Sequence, residues 1–510
     1  MSSRRENAMK NLCSSAAAKL VVLVLNFVLR TAFIAALGND YLSINGLFGS
    51  ILSTLSLAEL GFGTAMVYHL YRPLAQRDED ALRGLLQMYR RAYRVIGAVV
   101  LVLGVAVLPL LPALVRELPE LPHLRWYYGL YLANSVASYW LWAHQCAVLT
   151  ADQKEYIRTN IRTAVSVGKA LAQLAALWWL GSFTAYLLVQ LAATIAENAL
   201  TARRARQLYP AVGHAADCPV PAEERRRIWR DVASLAATRL GHVALHSTDS
   251  IVIAAVVGVS WVGLLSNYRL ICETVTGILC LVTGALTAGL GNYFAQKSPQ
   301  EGRLLFRRLE FLNFWLYGLS AVALLVLLDP FVMLWLGEDY RMSGEIVWAL
   351  VINFAAQGYL HVLWTFRSAM GLFRQGWYRS VLVAVVNLLL SVLLGRIWGV
   401  FGVLIATFLA NALVRLWFEP LIIHKYGLRC PVGRHLAECI WRVVQLGIMA
   451  LPLLAIRQWL LAGGVTAVRF VVLALICAAE EAAVFALLNG RRDEVGYGID
   501  AARGFISRRG

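Results

Sequence analysis

The sequence has little charge. Asp, Glu, Lys and Arg make up only 15% of its 510 residues, and 59% of the residues are hydrophobic. Soluble domains carry about 25% charged residues. A chain of this length with so few charges cannot cover its surface with polar groups, so the composition excludes a soluble globular protein.

Catalytic and nucleotide-binding motifs are also missing. The sequence has no GxxxxGK(S/T) phosphate loop, no GxSxG and no HExxH. The longest polar segment, about 202–230, is shorter than an independent catalytic domain. We therefore predict a protein that is not an enzyme and that needs no cofactor.

The eight cysteines are scattered and include no CxxC pair. Their spacing indicates small packing residues rather than disulfides or a metal site. His242 and His246 form an HxxxH pair, but no third ligand or catalytic Glu stands nearby. The sequence therefore predicts no metal site.

Long apolar runs recur along the whole chain, and about 20 apolar residues cross a bilayer as a helix. The runs do not alternate with period two, which favours helices over an outer-membrane barrel. The first run carries Lys19, Asn26 and Arg30 and is too long for a signal peptide. We predict an all-α polytopic membrane protein with about fourteen spans. They are 12–37, 44–71, 93–115, 124–149, 163–181, 183–201, 231–257, 260–293, 311–337, 345–369, 378–398, 399–424, 440–460 and 465–488.

Basic residues lie mostly on one side of this topology. Of the 47 Lys and Arg residues, 34 fall in the two terminal segments and in the loop after every second span, counted with the adjoining span ends. Only five fall in the opposite loops and the span ends beside them. This asymmetry is the positive-inside signature, and it predicts that both termini lie in the cytoplasm. The basic residues have no interleaved aromatics on one surface, which argues against a nucleic-acid partner.

A weak internal repeat appears at an offset of 220 residues. It aligns Gly38 with Gly258 and Lys19 with Arg239. Because six spans separate the two starts, both repeats begin on the same side, as in transporters with parallel repeats. We predict an N-lobe over 1–230, a C-lobe over 231–424, and two further helices with a cytoplasmic tail over 425–510.

Ionisable groups inside spans are costly in lipid and mark functional or paired positions. Lys19, Asn26 and Arg30 follow one face of the first span. They line a cationic cavity, or they pair with other helices while Lys19 reaches the membrane interface. The seventh span repeats the pattern.

The stripe of that seventh span consists of Arg239, His242, His246 and Asp249. Their spacings of three and four residues place them on one helix face. We interpret this face as a second part of the cavity lining.

Three further sites carry intramembrane charge. Arg269 and Glu273 stand four apart and either neutralise each other or exchange partners as a gate. Glu59 either forms an ion pair with Arg30 or carries a coupling ion, H⁺ or Na⁺. Arg367 lies at the end of a polar stripe in the tenth span. Such a stripe either lines a water-filled cavity or forms hydrogen bonds between helices.

The Asp329–Pro330 pair falls in the ninth span. Proline removes a helical hydrogen bond, and Asp is a common helix cap. We therefore expect the helix to break at Pro330.

Two regions of the sequence carry a family resemblance. The segments 36–48 (ALGNDYLSINGLF), 55–63 (LSLAELGFG) and 68–75 (YHLYRPLA) resemble bacterial polysaccharide repeat-unit flippases of the Wzx type. The segments 248–253 (TDSIVI) and 265–271 (LSNYRLI) look like the matching start of a second lobe. These flippases share a superfamily with multidrug antiporters and the lipid II flippase.

The resemblance implies two pseudo-symmetric six-helix lobes around a central cavity, with two extra helices. It also implies a substrate, an undecaprenyl-pyrophosphate-linked oligosaccharide such as an O-antigen, lipopolysaccharide or capsule unit. Two alternatives stay open at this stage. One is a cation-coupled multidrug antiporter, which would more often have twelve spans and acidic cavity residues. The other is a membrane polysaccharide polymerase or acyltransferase, which would need a larger loop.

Overall fold

The computed structural model describes the backbone of residues 4–59, 62–117, 119–210, 220–287, 290, 293–294, 298–372 and 378–507. Within these ranges, the side chains of 4–20, 57–58, 64, 114, 233–247, 285–286, 299, 380 and 501–507 are not described. The described part of the chain is helical throughout and contains no strand. The predicted all-α class is therefore confirmed.

The longer helices follow one another with short connections. In chain order they are α1 (Arg4–Leu55), α2 (Phe62–Gln76), α3 (Glu79–Val107), α4 (Leu124–Trp140), α5 (Ala143–Ala151), α6 (Glu155–Ala175), α7 (Phe183–Leu208), α8 (Ala222–Val256), α9 (Ser260–Thr287), α10 (Pro299–Leu336), α11 (Gly344–Ala369), α12 (Tyr378–Asn411), α13 (Gly433–Leu461), α14 (Ala467–Asn489) and α15 (Asp493–Ser507).

Nine helical stretches in the described part of the chain are long and apolar enough to cross a membrane. The protein is therefore a multi-pass membrane protein, and the count of about fourteen spans stays a prediction. The stretch Val381–Leu428 has 48 residues, more than twice the roughly 20 that one crossing needs. One helical stretch thus holds more than one predicted span.

Glycines interrupt the helical backbone at two predicted span boundaries. Gly38, with φ 83°, breaks α1 directly after the predicted first span. Gly399, with φ 60°, breaks α12 where one predicted span ends and the next begins. Close by, a Cβ placed on Gly402 would lie 2.0 Å from the carbonyl oxygen of Leu394. The chain bends so sharply here that only glycine fits.

The second predicted span is also interrupted. Its helix ends at Leu55, a 3₁₀ turn follows over Ser56–Glu59, and α2 begins at Phe62. The turn places Glu59 at the end of one helical segment rather than in the middle of a continuous helix.

The expected break at Asp329–Pro330 is wrong. Helix α10 runs through Pro330 and ends at Leu336. Membrane helices tolerate proline when neighbouring groups satisfy the backbone around it. Here Arg457 donates to the carbonyl of Leu325 at 3.1 Å, next to the carbonyl that Pro330 leaves without a helical donor.

The chain forms two compact units, Met1–Gly263 and Leu264–Gly510. In the first unit, α1 packs against α6 and α8. In the second, α10 is central and contacts α11, α13, α14 and α15. The predicted division at 230 and 424 into two lobes and a helix pair stays a prediction.

Candidate functional site

The two helices that carry the predicted cationic stripes are neighbours within the first unit, because α1 packs against α8. Lys19 belongs to α1, and Arg239, His242 and His246 belong to α8. These four side chains lie outside the described residues. Asn26 on α1 is exposed.

Arg30 is half-buried on α1. It interacts electrostatically with Tyr186 on α7. The ring of Phe33, one turn further along α1, lies 5.1 Å from the Tyr186 ring and 5.8 Å from the Phe183 ring, both in edge-to-face contact. These aromatic contacts stabilise the side of α1 on which Arg30 stands.

Glu59 contacts tyrosines of α3. The Tyr93 hydroxyl donates to Glu59 Oε1 at 2.5 Å, and the Tyr89 hydroxyl donates to that of Tyr93 at 3.3 Å. A Cβ on Gly63 would lie 2.8 Å from the Tyr93 hydroxyl, so glycine is required for this close approach. Glu59 therefore has a hydrogen-bonded tyrosine chain as a partner, and its predicted pairing with Arg30 stays a prediction.

The remaining predicted residues of the seventh and eighth predicted spans differ in exposure. Asp249 on α8 is buried. On α9, Arg269 is half-buried and Glu273 is exposed. A carboxylate as deeply buried as Asp249 requires compensation by neighbouring polar groups.

Arg367 is buried at the end of α11 and has a carboxylate partner. Its NH1 group donates to both oxygens of Glu419 at 3.0 Å, and its Nε donates to the Leu372 carbonyl at 2.9 Å. Arg379 reaches the same carboxylate at 3.8 Å and stacks on Phe418, with 3.5 Å between guanidinium carbon and ring centre. The positive charge of Arg367 is thus compensated by a carboxylate inside the second unit.

A second buried ion pair was not predicted from the sequence. Arg442 on α13 donates to both oxygens of Glu310 on α10, at 3.0 and 2.7 Å, and both side chains are 1% exposed. The predicted spans placed Glu310 in the loop just before the ninth span and Arg442 near the start of the thirteenth. The signal that could have found them is a charge at the start of each apolar run.

Asp329 holds a third charged cluster in the second unit. Its Oδ2 accepts from Arg457 at 2.8 Å and faces Arg341 at 3.4 Å, while Tyr268 donates to Oδ1 at 3.0 Å. A cavity of about 500 Å³ opens beside these groups and is also lined by Glu338. The sequence indicated a structural role for Asp329, but not these partners.

Helix α14 carries two adjacent acids that the sequence prediction also missed. Glu481 accepts from the Cys477 thiol at 3.5 Å, and Glu480 lies beside it. Two neighbouring acids within an apolar run are a signal visible in the sequence.

Comparisons with known proteins bear on the fold. No protein-family model matches the sequence, and no curated protein sequence matches it. Among solved structures, the lipid II flippase MurJ in its inward closed conformation aligns with a TM-score of 0.62 at 13% identity. The alignment covers 93% of this chain and 98% of MurJ.

Multidrug transporters of the MATE family, in the MOP superfamily, align as well. An inward-facing one gives a TM-score of 0.56 at 14% identity and covers 82% of this chain and 99% of its own. The Vibrio cholerae transporter VcmN gives 0.58 at 17% identity, with 83% and 99% covered. The protein therefore has the fold that lipid II flippases share with MATE transporters.

Proposed function

We propose that this protein is a flippase for a lipid-linked oligosaccharide. It moves an undecaprenyl-pyrophosphate-linked polysaccharide repeat unit from the inner to the outer leaflet of a bacterial cytoplasmic membrane by alternating access. The observation that carries the proposal is the packing of α1 against α8. Lys19 and Arg30 lie on α1, and Arg239 lies on α8.

A pyrophosphate is a compact anion that arginine and lysine bind through charge-assisted hydrogen bonds. Cations at membrane depth are too costly to be kept without an anionic partner. A drug/cation antiporter needs the opposite sign of charge at its site. The basic residues of α1 and α8 therefore favour an anionic lipid as the substrate.

The extent of the structural alignments supports the same choice. The MATE transporters are covered almost completely, yet they account for only 82–83% of this chain. MurJ is also covered almost completely and accounts for 93% of this chain. This chain thus shares with the lipid II flippase a portion that the MATE structures lack.

Transport by purified protein tests the proposal. In vesicles that contain a fluorescent undecaprenyl-pyrophosphate-linked oligosaccharide, the wild-type chain should bring the label within reach of a membrane-impermeant quencher. Arg30→Ala should slow this step about tenfold or more, because a hydrogen bond to a charged group contributes about 1.5–3 kcal/mol. Arg30→Lys should retain part of the rate.

Arg203→Ala is the matched control, because Arg203 is an exposed arginine at the end of α7. It should leave the rate unchanged. Ion-driven efflux of a cationic dye without lipid translocation would contradict the flippase proposal and indicate an antiporter. Equal rates for wild type and Arg30→Ala would contradict the role of Arg30.

The proposed orientation has its own test. A single cysteine placed at Arg203, in a chain whose native cysteines are replaced, should react with an impermeant maleimide only after the cells are opened. The excess of Lys and Arg in the 202–230 segment keeps it in the cytoplasm. Labelling of intact cells would refute this topology.

A further inference from the structure

Three side chains of the second unit present metal-ligating atoms to one another. They are Glu310 on α10 and His435 and Cys439 on α13, and their ligand atoms all lie within 4.8 Å of one another. The Cys439 sulfur is 3.6 Å from His435 Nε2 and 3.9 Å from Glu310 Oε1. The proposed transport uses none of these groups.

The two distances from the Cys439 sulfur, 3.6 and 3.9 Å, are close to those of a tetrahedral zinc site. With Zn–S near 2.3 Å and Zn–N or Zn–O near 2.1 Å, neighbouring ligand atoms stand about 3.4–3.6 Å apart. The Tyr359 hydroxyl of α11 lies 3.0 Å from His435 Nε2 and 3.7 Å from the Cys439 sulfur. It is placed to be a fourth ligand or to hold a water molecule there. Only small movements would bring all of these atoms into coordination distance.

The backbone and the neighbouring side chains position the ligands in advance. His435 and Cys439 are four residues apart, so they share one face of α13. Arg442 holds the Glu310 carboxylate by two hydrogen bonds, and outer partners of this kind orient ligating carboxylates. The His435 ring packs 4.9 Å from the ring of His424, which restricts its rotation.

The charges around the cluster are suited to a dication. Zinc binds cysteine as the thiolate, so binding would release the Cys439 proton to solvent. The thiolate, Glu310 and Glu438, which lies 3.5 Å from Arg442, would then balance the ion and Arg442. Arg434 also reaches Glu438, but its side chain is 81% exposed and water screens it.

A cavity of about 430 Å³ lies beside the cluster, at the loop before α13. It is lined by Cys430 and by His424, whose ring packs against that of His435. Lys425 and Arg429 line it as well; their positive charge opposes the binding of a cation, and water and salt in the cavity screen that repulsion.

We propose that Glu310, His435 and Cys439 bind one transition-metal ion, with Zn²⁺ the best match to this sulfur, nitrogen and oxygen donor set. The ion would tie α13 to α10 and α11. It would be structural, because the ligands lie on helices that pack together in the second unit. This inference is independent of the transported substrate.

Cobalt binding tests the proposal directly, since Co²⁺ reports tetrahedral thiolate coordination by its colour. The full-length protein in detergent is stripped with a chelator and titrated with CoCl₂. We expect an equimolar end point, visible d–d bands and a thiolate-to-cobalt charge-transfer band in the near ultraviolet. Added ZnCl₂ should bleach both the d–d bands and the charge-transfer band.

Cys439→Ser should abolish the charge-transfer band. His435→Gln should weaken cobalt binding by at least roughly 10- to 100-fold. That is the cost of losing a hydrogen-bond partner of a metal ligand, and His435 is itself a ligand here. Cys430→Ser is the matched control and should bind cobalt as the wild type does. Glu310 is not substituted, because its loss would leave the buried Arg442 charge without its carboxylate partner.

Two results would overturn the proposal. One is the absence of a charge-transfer band in the wild-type chain. The other is an unchanged band in Cys439→Ser. Either would mean that the cluster is a hydrogen-bond network only.

Discussion

Arg442→Met should destabilise the second unit by about 3–5 kcal/mol, since removing one partner of a buried ion pair leaves the other without compensation. Glu310, at 1% exposure, would stay buried without its two hydrogen bonds from Arg442. The thermal unfolding midpoint of the detergent-solubilised, metal-free protein measures the effect. Metal-free conditions separate the ion pair from the proposed zinc site.

Two companion variants make this prediction specific. Arg434→Met removes an exposed arginine that bonds Glu438 on the same helix at 3.2 Å, and it should change stability by no more than about 1 kcal/mol. The double variant Glu310→Gln with Arg442→Met should recover part of the loss, because no full charge is then stranded. Equal midpoints for Arg442→Met and Arg434→Met would show that the buried pair contributes little.

Gly358→Ala should also be strongly destabilising, by about 1–3 kcal/mol or more, as overpacking of a close helix contact is. A Cβ at this position would lie 2.0 Å from Cδ1 and 2.1 Å from Cγ of the Tyr317 ring. Tyr317 is itself buried, and Asn313 donates to the Gly358 carbonyl at 3.0 Å. Neither α10 nor α11 can move away without breaking these contacts.

The matched control is Gly277→Ala on α9, where an added Cβ meets nothing within 4 Å. This change should be neutral or slightly stabilising, because alanine favours a helix over glycine by about 0.8–1.0 kcal/mol. Adding Tyr317→Leu to Gly358→Ala should restore part of the midpoint. If Gly358→Ala unfolds no earlier than Gly277→Ala, the contact between α10 and α11 is looser than this geometry requires.

Charge distribution explains what was missed inside the second unit. Glu310 and Arg442 are 132 positions apart, and Asp329 and Arg457 are 128 apart. Span prediction places each charge in its own span or loop and cannot pair charges that are so far apart in sequence. Only the packing of α13 against α10 shows that the Glu310 and Arg442 charges are buried and paired.

The case of Pro330 illustrates a different limit. Proline predicts a helix break from local chemistry alone. The Arg457 side chain, which comes from α13, donates to the Leu325 carbonyl, next to the carbonyl that loses its helical donor. A partner so distant in sequence cannot enter a local rule.

For the candidate transport residues too, the sequence predicts the helix face but not the neighbouring helix. Periodicity places Lys19, Asn26 and Arg30 on one face of a helix, because 3.6 residues per turn is a property of the backbone. It cannot say which helix lies opposite. The structure supplies α8 as a neighbour of α1, and it supplies Glu419 as the partner of Arg367.

Hydrophobicity and backbone chemistry, which act over a few residues, were enough to predict an all-helical membrane protein with span boundaries at 37–44 and 398–399. Gly38 and Gly399 interrupt the helical backbone at these boundaries. Local chemistry could not predict which buried charges pair, whether the helix continues through Pro330, or that Glu310, His435 and Cys439 meet. Those outcomes depend on helix packing, which brings together residues as far as 132 positions apart.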